Sequence, residues 1–393
     1  MLWLTLVAGS IVMWMRVLGT AQWLLDETGS AYLVGMIGVV QLFVQLPVTL
    51  WAGTLADSVD RKKLMTIAHG ATGISLLMLG FMNLNELLTP MLVYVGIGIT
   101  AGTHMLASPA RSAMVPIVIP EKQLMAGAST DTASSNAAAI AGPLIFAAIA
   151  VTWGLTSVFL SAGVLAIINC LIPIFIKAQG KAEQHPADES LSRLQQTIKG
   201  IRYIKQHPIL PGLFLLDAGI TTATFYREIL PVLALGLLAG GASVTGMLGA
   251  ANSAGAMLGS FVALLLVSFR AKGLLVLYAS FAYGFFLFGF ATANTLIVGM
   301  IMIALLGAAD AVTVAVRNTT IMLTTPDHMR GRAFALMIVA AQTANNIGTI
   351  WVGAWAGAIG AENTMLMGAV ISIVMTGLIL WWWKPIRLFR SNN

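Results

Sequence analysis

The sequence predicts an all-α membrane protein of twelve spanning helices, arranged as two related six-helix halves. Three observations carry that prediction. Hydrophobic residues make up 58% of the chain and charged residues 9%, with a mean hydropathy of +0.88, whereas a soluble domain carries about 25% charged residues. Apolar runs long enough to span a bilayer, roughly 20 residues each, recur along all 393 residues. The cations gather at alternate joins between those runs.

The runs fall near 1–24, 31–52, 64–83, 90–110, 122–150 and 156–177, and then near 209–236, 242–267, 273–292, 294–316, 332–358 and 363–383. Short loops rich in Lys and Arg stay cytoplasmic, so the loop holding Arg61, Lys62 and Lys63 sets the orientation. Alternation then puts both termini inside. Arg111, Arg317, Arg330 and Arg332 also fall on the inner side, as do 19 of the 21 Lys and Arg in all, and the outer joins hold none. The pI of 9.6 is therefore topogenic and gives no reason to expect nucleic acid. Met1 to Leu25 lacks a basic n-region and reads as a retained first span, not a signal peptide. The single cysteine, Cys170, excludes an intramolecular disulfide and a thiolate metal cluster.

Three segments are expected: an N-terminal bundle at 1–177, a cytoplasmic linker at 178–208 and a C-terminal bundle at 209–393. Within the linker, Leu191, Leu194, Ile198, Ile201 and Ile204 recur at helical spacing among cations, which predicts an amphipathic helix on the inner leaflet. About thirty residues are too few for a domain core. The bundles repeat one another. Gly35, Met36, Ile37 and Gly38 match Gly246, Met247, Leu248 and Gly249 at an offset of 211. Arg111, followed by Pro120 and Glu121, matches Arg317, followed by Pro326 and Asp327, at an offset of 206. The second offset also superposes Gly142 on Gly348 and Asn136 on Gln342.

Between spans 2 and 3 runs a charged stretch from Gly53 through Asp57 and Asp60 to Arg61, Lys62 and Lys63. It resembles the loop signature of the major facilitator superfamily, except that Ser58 stands where a basic residue is usual and Asp60 where a second Gly is usual. Further segments narrow the resemblance. They are Ser108 to Arg111 with Val115 and Pro116, Gly142 with Pro143, Gly200 to Tyr203 with His207 and Pro208, and Pro326 to Arg332. Together they resemble the bacterial branch of siderophore exporters and macrolide efflux proteins, with lysophospholipid transporters as similar relatives. The pair Gly142 and Pro143 is similar to the core of the antiporter motif of the fifth helix, matched only in half. The resemblance implies a gate in which Asp57 meets the start of the eleventh helix, here Arg330 to Arg332. Gly53, Asp57, Arg61, Lys62, Arg111, Arg317, Arg330 and Arg332 are its expected gating residues.

Ionisable side chains inside a bilayer are costly and usually face a cavity. They are Arg16, His104, Asp131, Asp217, Arg227, Glu228 and Asp310, on spans 1, 4, 5, 7 and 10. The interiors of spans 6, 9 and 12 have none, and in the family fold these, with span 3, are the peripheral ones. The offsets send Arg16 to Arg227, beside Glu228, and His104 to Asp310. Glu228 is thus the expected counter-ion of Arg16. Asp217 and Glu228, eleven residues apart, would share a helix face with Thr221 and Thr224. Burial favours the protonated form of a carboxylate and an adjacent cation the ionised form. Asp131, Asp310, Asp217 and Glu228 are therefore the proton-coupling candidates, with Asp131 and Asp310 preferred because they lack close cations apart from Arg317. Arg16, His104, Asn136, Arg227 and Gln342 are the substrate-cavity candidates. For each, the competing reading is a structural ion pair or a side chain snorkelling to an interface.

No Gly-rich phosphate loop, His-Glu-x-x-His motif or cysteine ligand set is present, so neither ATP nor a cofactor or metal is expected. The resemblance implies a secondary transporter rather than an enzyme. It would be a monomer in the bacterial inner membrane, exporting a hydrophobic or amphipathic small molecule by proton antiport with alternating access. A lysophospholipid flippase and a non-transporting membrane sensor are the alternatives.

Overall fold

A computed structural model of the chain describes residues 1–176 and 193–391, with the side chains at 50, 52–58, 121, 193–197 and 328 outside the description. The described residues are helical almost throughout. The elements are α1 (Leu2–Thr28), α2 (Ala31–Ser58), α3 (Arg61–Leu84), α4 (Pro90–Val118), α5 (Leu124–Leu171), α6 (Arg193–Gln206), α7 (Leu210–Thr224), α8 (Leu230–Leu238), α9 (Ala242–Leu265), α10 (Lys272–Ala291), α11 (Leu296–Thr324), α12 (Asp327–Ile359), α13 (Ala361–Trp382) and α14 (Lys384–Leu388). Ten stretches of the described residues are long and apolar enough to cross a membrane. One of the ten, Leu124–Phe175, is two of the expected spans in one run. It reverses at Gly154, whose φ of 79° and ψ of 172° lie in a region essentially reserved for glycine. The expected seventh span, present as 210–238, forms a bent pair with the end of α6, the two meeting at 99°.

The described residues divide into two compact units, 1–176 with 228–235 and 240–250, and 193–227 with 236–239 and 251–391. In the first, α3 packs antiparallel against the second limb of α5, after Gly154. A Cβ at Gly73 would lie 2.7 Å from Ile167 Cδ1, one at Gly80 2.6 Å from Leu160 Cδ2, and one at Gly163 2.7 Å from Leu77 Cγ. The contacting numbers sum to a constant, as a straight antiparallel pair requires. The first limb meets α1 just as closely, since a Cβ at Gly142 would lie 2.7 Å from Trp14 Cβ.

The second unit reproduces these contacts at the offsets read from the sequence. A Cβ at Gly348 would lie 2.7 Å from Phe225 Cβ, as one at Gly142 would from Trp14 Cβ, and a Cβ at Gly284 would lie 2.7 Å from Ile373, as one at Gly73 would from Ile167. Thr89 caps α4 through its hydroxyl and Thr295 caps α11 in the same way. Gly360, 206 residues after Gly154, has φ 85° and ψ 161°. The second unit is thus a parallel structural repeat of the first, as the two offsets predict.

Span 7 departs from the expected continuous helix. α7 ends at Thr224, Phe225 is extended, and a single 3₁₀ turn at Arg227–Ile229 leads into α8. Pro231 supplies the reason. Its ring would collide with the Arg227 carbonyl in an unbroken helix, and it has no N–H to donate there. Asp217 and Glu228 therefore do not share a helix face. They belong to different units.

Of the expected amphipathic helix, α6 is described and Leu191 lies outside the described residues. Its apolar stripe is divided. Ile204 is buried with Leu210, Ile321, Ala333 and Met337, while Ile198 and Ile201 stay exposed. Gly200 packs against Leu336 of α12. At the α6–α7 corner, His207 Nδ1 accepts the backbone N–H groups of Ile209 and Leu210 at 3.2 Å each. That leaves Nε2 to carry the proton toward the Thr324 carbonyl, 3.3 Å away. Burial pushes this imidazole below its ordinary pKa, outweighing the raising effect of the Thr324 carbonyl.

Candidate functional site

Each unit contains a chamber, and the two occupy corresponding places in the repeat. The first, about 130 Å³, lies among α1, α3, α4 and the second limb of α5, with Arg16, His69, His104, Arg111 and Asn169 in its wall. The second, about 40 Å³, lies among α7, α10 and α11, with Asp217, Ser280, Tyr283, Asp310 and Arg317 in its wall. The offsets carry His104 onto Asp310, Arg111 onto Arg317, His69 onto Ser280 and Thr72 onto Tyr283. His104 and Asp310 are deep within their units, yet both side chains are open to the chambers.

In the second chamber Arg317 forms an ion pair with Asp217. Asp310 faces the same arginine and feels Arg227 and Asp217 as well, without a hydrogen bond or ion pair of its own among the described residues. Arg317, placed with the inner loops by the sequence reading, is buried inside α11 instead. Arg227 stacks over the Phe225 ring at 5.9 Å, and Tyr226 accepts a hydrogen bond from the Asn252 amide.

In the first chamber Arg111 pairs with Asp131 at 2.8 Å. Asp131 was expected to lack a close cation, and this pairing corrects that premise. The partners are twenty residues apart on different helices, a contact that only tertiary packing creates. Arg16 is 7% exposed, and its Nη1 is buried without a hydrogen-bond partner among the described residues. The expected Arg16–Glu228 relation exists as an electrostatic interaction, although the two do not close into an ion pair among the described residues. Glu228 Oε1 accepts from Gln41 Nε2 at 3.2 Å, and its Oε2 has no hydrogen-bond partner among the described residues. Nearby, Thr245 donates to Gln22 Oε1 at 3.1 Å. Gln41 and Gln22 were missed by the sequence reading, since uncharged amides in apolar runs stand out little.

Asn136 and Gln342 line neither chamber. They are half-buried on α5 and α12, and Gln342 accepts from Asn345 at 3.3 Å. The side chains of Gly53 and Asp57 lie outside the described residues. Around them, Asp60 caps α3 by accepting the Lys62 N–H at 2.9 Å, Arg61 donates to the Ala113 carbonyl at 3.4 Å and Lys62 to that of Ile176 at 3.0 Å. Arg330 pairs with Asp327 at 2.8 Å in the first turn of α12, and Arg332 turns toward Met329 Sδ.

Two duplicated bundles with ionisable groups facing internal chambers define a transporter of the major facilitator fold. The solved structures agree on the fold. A point mutant of the nucleoside transporter NupG superposes with a TM-score of 0.81 at 14% identity, over 97% of this chain and 99% of that one. A bacterial homologue of the human lysosomal transporter Spinster, inward-facing and unoccupied, gives 0.76 at 13% identity over 100% and 98%. The sequence profile of the family described as transmembrane secretion effector matches residues 1–391. The chain belongs to that family of the major facilitator superfamily. It is a multi-pass membrane transporter and not an enzyme. Its relatives include the enterobactin exporter EntS of Citrobacter koseri, 26% identical over 90% of this chain and 80% of that protein. The enterobactin exporter EntS of Shigella boydii is also 26% identical, over 93% and 86%.

Proposed function

We propose that the protein exports an amphipathic small molecule from the bacterial cytoplasm in exchange for protons, by alternating access, as a monomer with both termini inside. The similarity to enterobactin exporters supports the outward direction and a substrate of that general class. The observation that carries the coupling is the second chamber, where two carboxylates, Asp217 and Asp310, draw on one buried arginine, Arg317. With both carboxylates ionised, Arg317 holds Asp217 and also attracts Asp310 without closing on it. When Asp310 takes a proton, its pull on Arg317 disappears and the Arg317–Asp217 pair is strengthened, so one proton changes how firmly α7 is held to α11. A carboxylate inside a bilayer is costly unless neutralised or paired, and that cost lets the proton select between arrangements. Asp131, bound to Arg111, is the weaker carrier candidate.

Proteoliposomes carrying an imposed pH gradient test this reading, with a fluorescent amphiphile as cargo. Asp310→Asn abolishes gradient-driven transport while leaving cargo binding within about twofold of the wild type. Gradient-driven transport that survives in Asp310→Asn removes the coupling assignment.

A further inference from the structure

The chambers correspond in position and oppose one another in charge. At corresponding positions Leu6 stands for Asp217 and His104 for Asp310, while an arginine is kept at Arg111 and Arg317. Among the described residues, the first chamber has two arginines and two histidines in its wall and no carboxylate. The charge of Arg111 is already committed to Asp131. That of Arg16 is not: the side chain is almost wholly withdrawn from solvent, and one terminal nitrogen has no hydrogen-bond partner among the described residues. The opposite charge that acts on it, Glu228, is held by Gln41 and closes no bridge to it among the described residues. A guanidinium in low dielectric with an unfilled donor is a standing cost, removed most fully by a charged acceptor. Asn169, 1% exposed, donates to the Thr5 carbonyl at 3.3 Å and keeps its own oxygen unpartnered. A hydroxyl or N–H beside the anionic group would satisfy that oxygen.

We propose that the first chamber binds an anionic oxygen group of the transported molecule, a carboxylate or a phosphate, through Arg16, with Glu228 as the competing carboxylate that the ligand displaces. This rests on the transporter reading and adds to it the class of cargo. It also divides the labour: the anion is read in the first unit, the proton in the second.

The test uses the full chain in dodecyl maltoside and two matched probe pairs, 1-naphthoate against 1-naphthamide and lysophosphatidylglycerol against monoacylglycerol, with affinities measured by calorimetry. The wild type binds the charged member of at least one pair about tenfold or more tighter. Preference in the naphthyl pair identifies a soluble acid, and preference in the lipid pair a headgroup phosphate. Arg16→Lys keeps the preference. Arg16→Gln loses it while binding the neutral member unchanged, and Glu228→Gln strengthens binding of the charged member. Arg16→Gln combined with Glu228→Gln leaves no unpaired buried charge, so it reports on recognition if the single variant fails to fold. No preference in the wild type, or a preference undiminished in the double variant, overturns the proposal. Loss of proton-driven transport with the preference intact would fault the coupling scheme alone.

Discussion

Replacing Asp217 by Asn breaks the ion pair with Arg317, and the neighbouring carboxylate decides how much that costs. The two side chains, Arg317 and Asp217, are only 8% and 16% exposed, so solvent screens them little. Removing one partner of such a pair ordinarily costs about 3–5 kcal/mol, because the other is left buried and unpaired. Arg317 cannot discharge by losing its proton, but Asp310 stands in the same chamber and already acts on it. Asp217→Asn therefore lets Arg317 turn to Asp310, and the loss falls below that range. Asp217→Asn with Asp310→Asn leaves the guanidinium no carboxylate in its chamber and incurs the full ~3–5 kcal/mol. Arg317→Leu falls between them, since a carboxylate can take up a proton where an arginine cannot lose one. Thermal unfolding of the purified variants in one detergent at neutral pH gives the order. If Asp217→Asn alone unfolds as early as the double variant, Asp310 does not substitute for Asp217, and the shared-arginine scheme fails.

Two further outcomes follow from local geometry. The pKa of His207 is lowered in the fold, so below about pH 6.5 the unfolded chain takes up a proton that the folded one refuses. Stability is then lost as pH falls through that value, and the difference in melting temperature between pH 8 and pH 5 is larger for the wild type than for His207→Gln. At Gly154 and Gly360 an added Cβ meets nothing within 4 Å, so Gly154→Ala and Gly360→Ala each cost only backbone strain, about 1–3 kcal/mol. Equal unfolding temperatures for wild type and both variants would refute the strain.

The repeat was legible because its strongest signals are steric. Gly142 and Gly348 each admit the Cβ of a bulky aromatic residue, and Gly73 and Gly284 each admit an isoleucine. Any side chain there would force helices apart, so the residue type is tied to the backbone path and survives as a pattern in one dimension. The cap at Asp60 was readable on other terms, as a carboxylate just ahead of a helix start that can accept its first N–H groups, although against the loop signature it registered only as a departure. The break in span 7 had a visible cause in Pro231, but position 20, its counterpart at the offset of 211, is a threonine inside an unbroken α1. Reasoning from symmetry carried the first helix onto the seventh and concealed the break. Ion-pair partners were the least legible. Arg111 meets Asp131 and Arg317 meets Asp217 across 20 and 100 residues, distances at which spacing holds no information.

That division between legible packing and illegible charge has a physical basis. At a helix crossing, a changed volume is felt at once through clashes or cavities, so the two halves are held to one geometry. A side chain facing a chamber displaces solvent or empty space, and its replacement costs little packing. His104 and Asp310 share a place in the fold while one can carry positive and the other negative charge, and Leu6 and Asp217 share one while one is apolar and the other acidic. The arginine that both chambers keep still changes its partner, from a carboxylate on α5 in one half to a carboxylate on α7 in the other. A transporter built from a repeat can in this way carry two different recognition chemistries on a single backbone plan, provided the residues that set the helix distances are left alone.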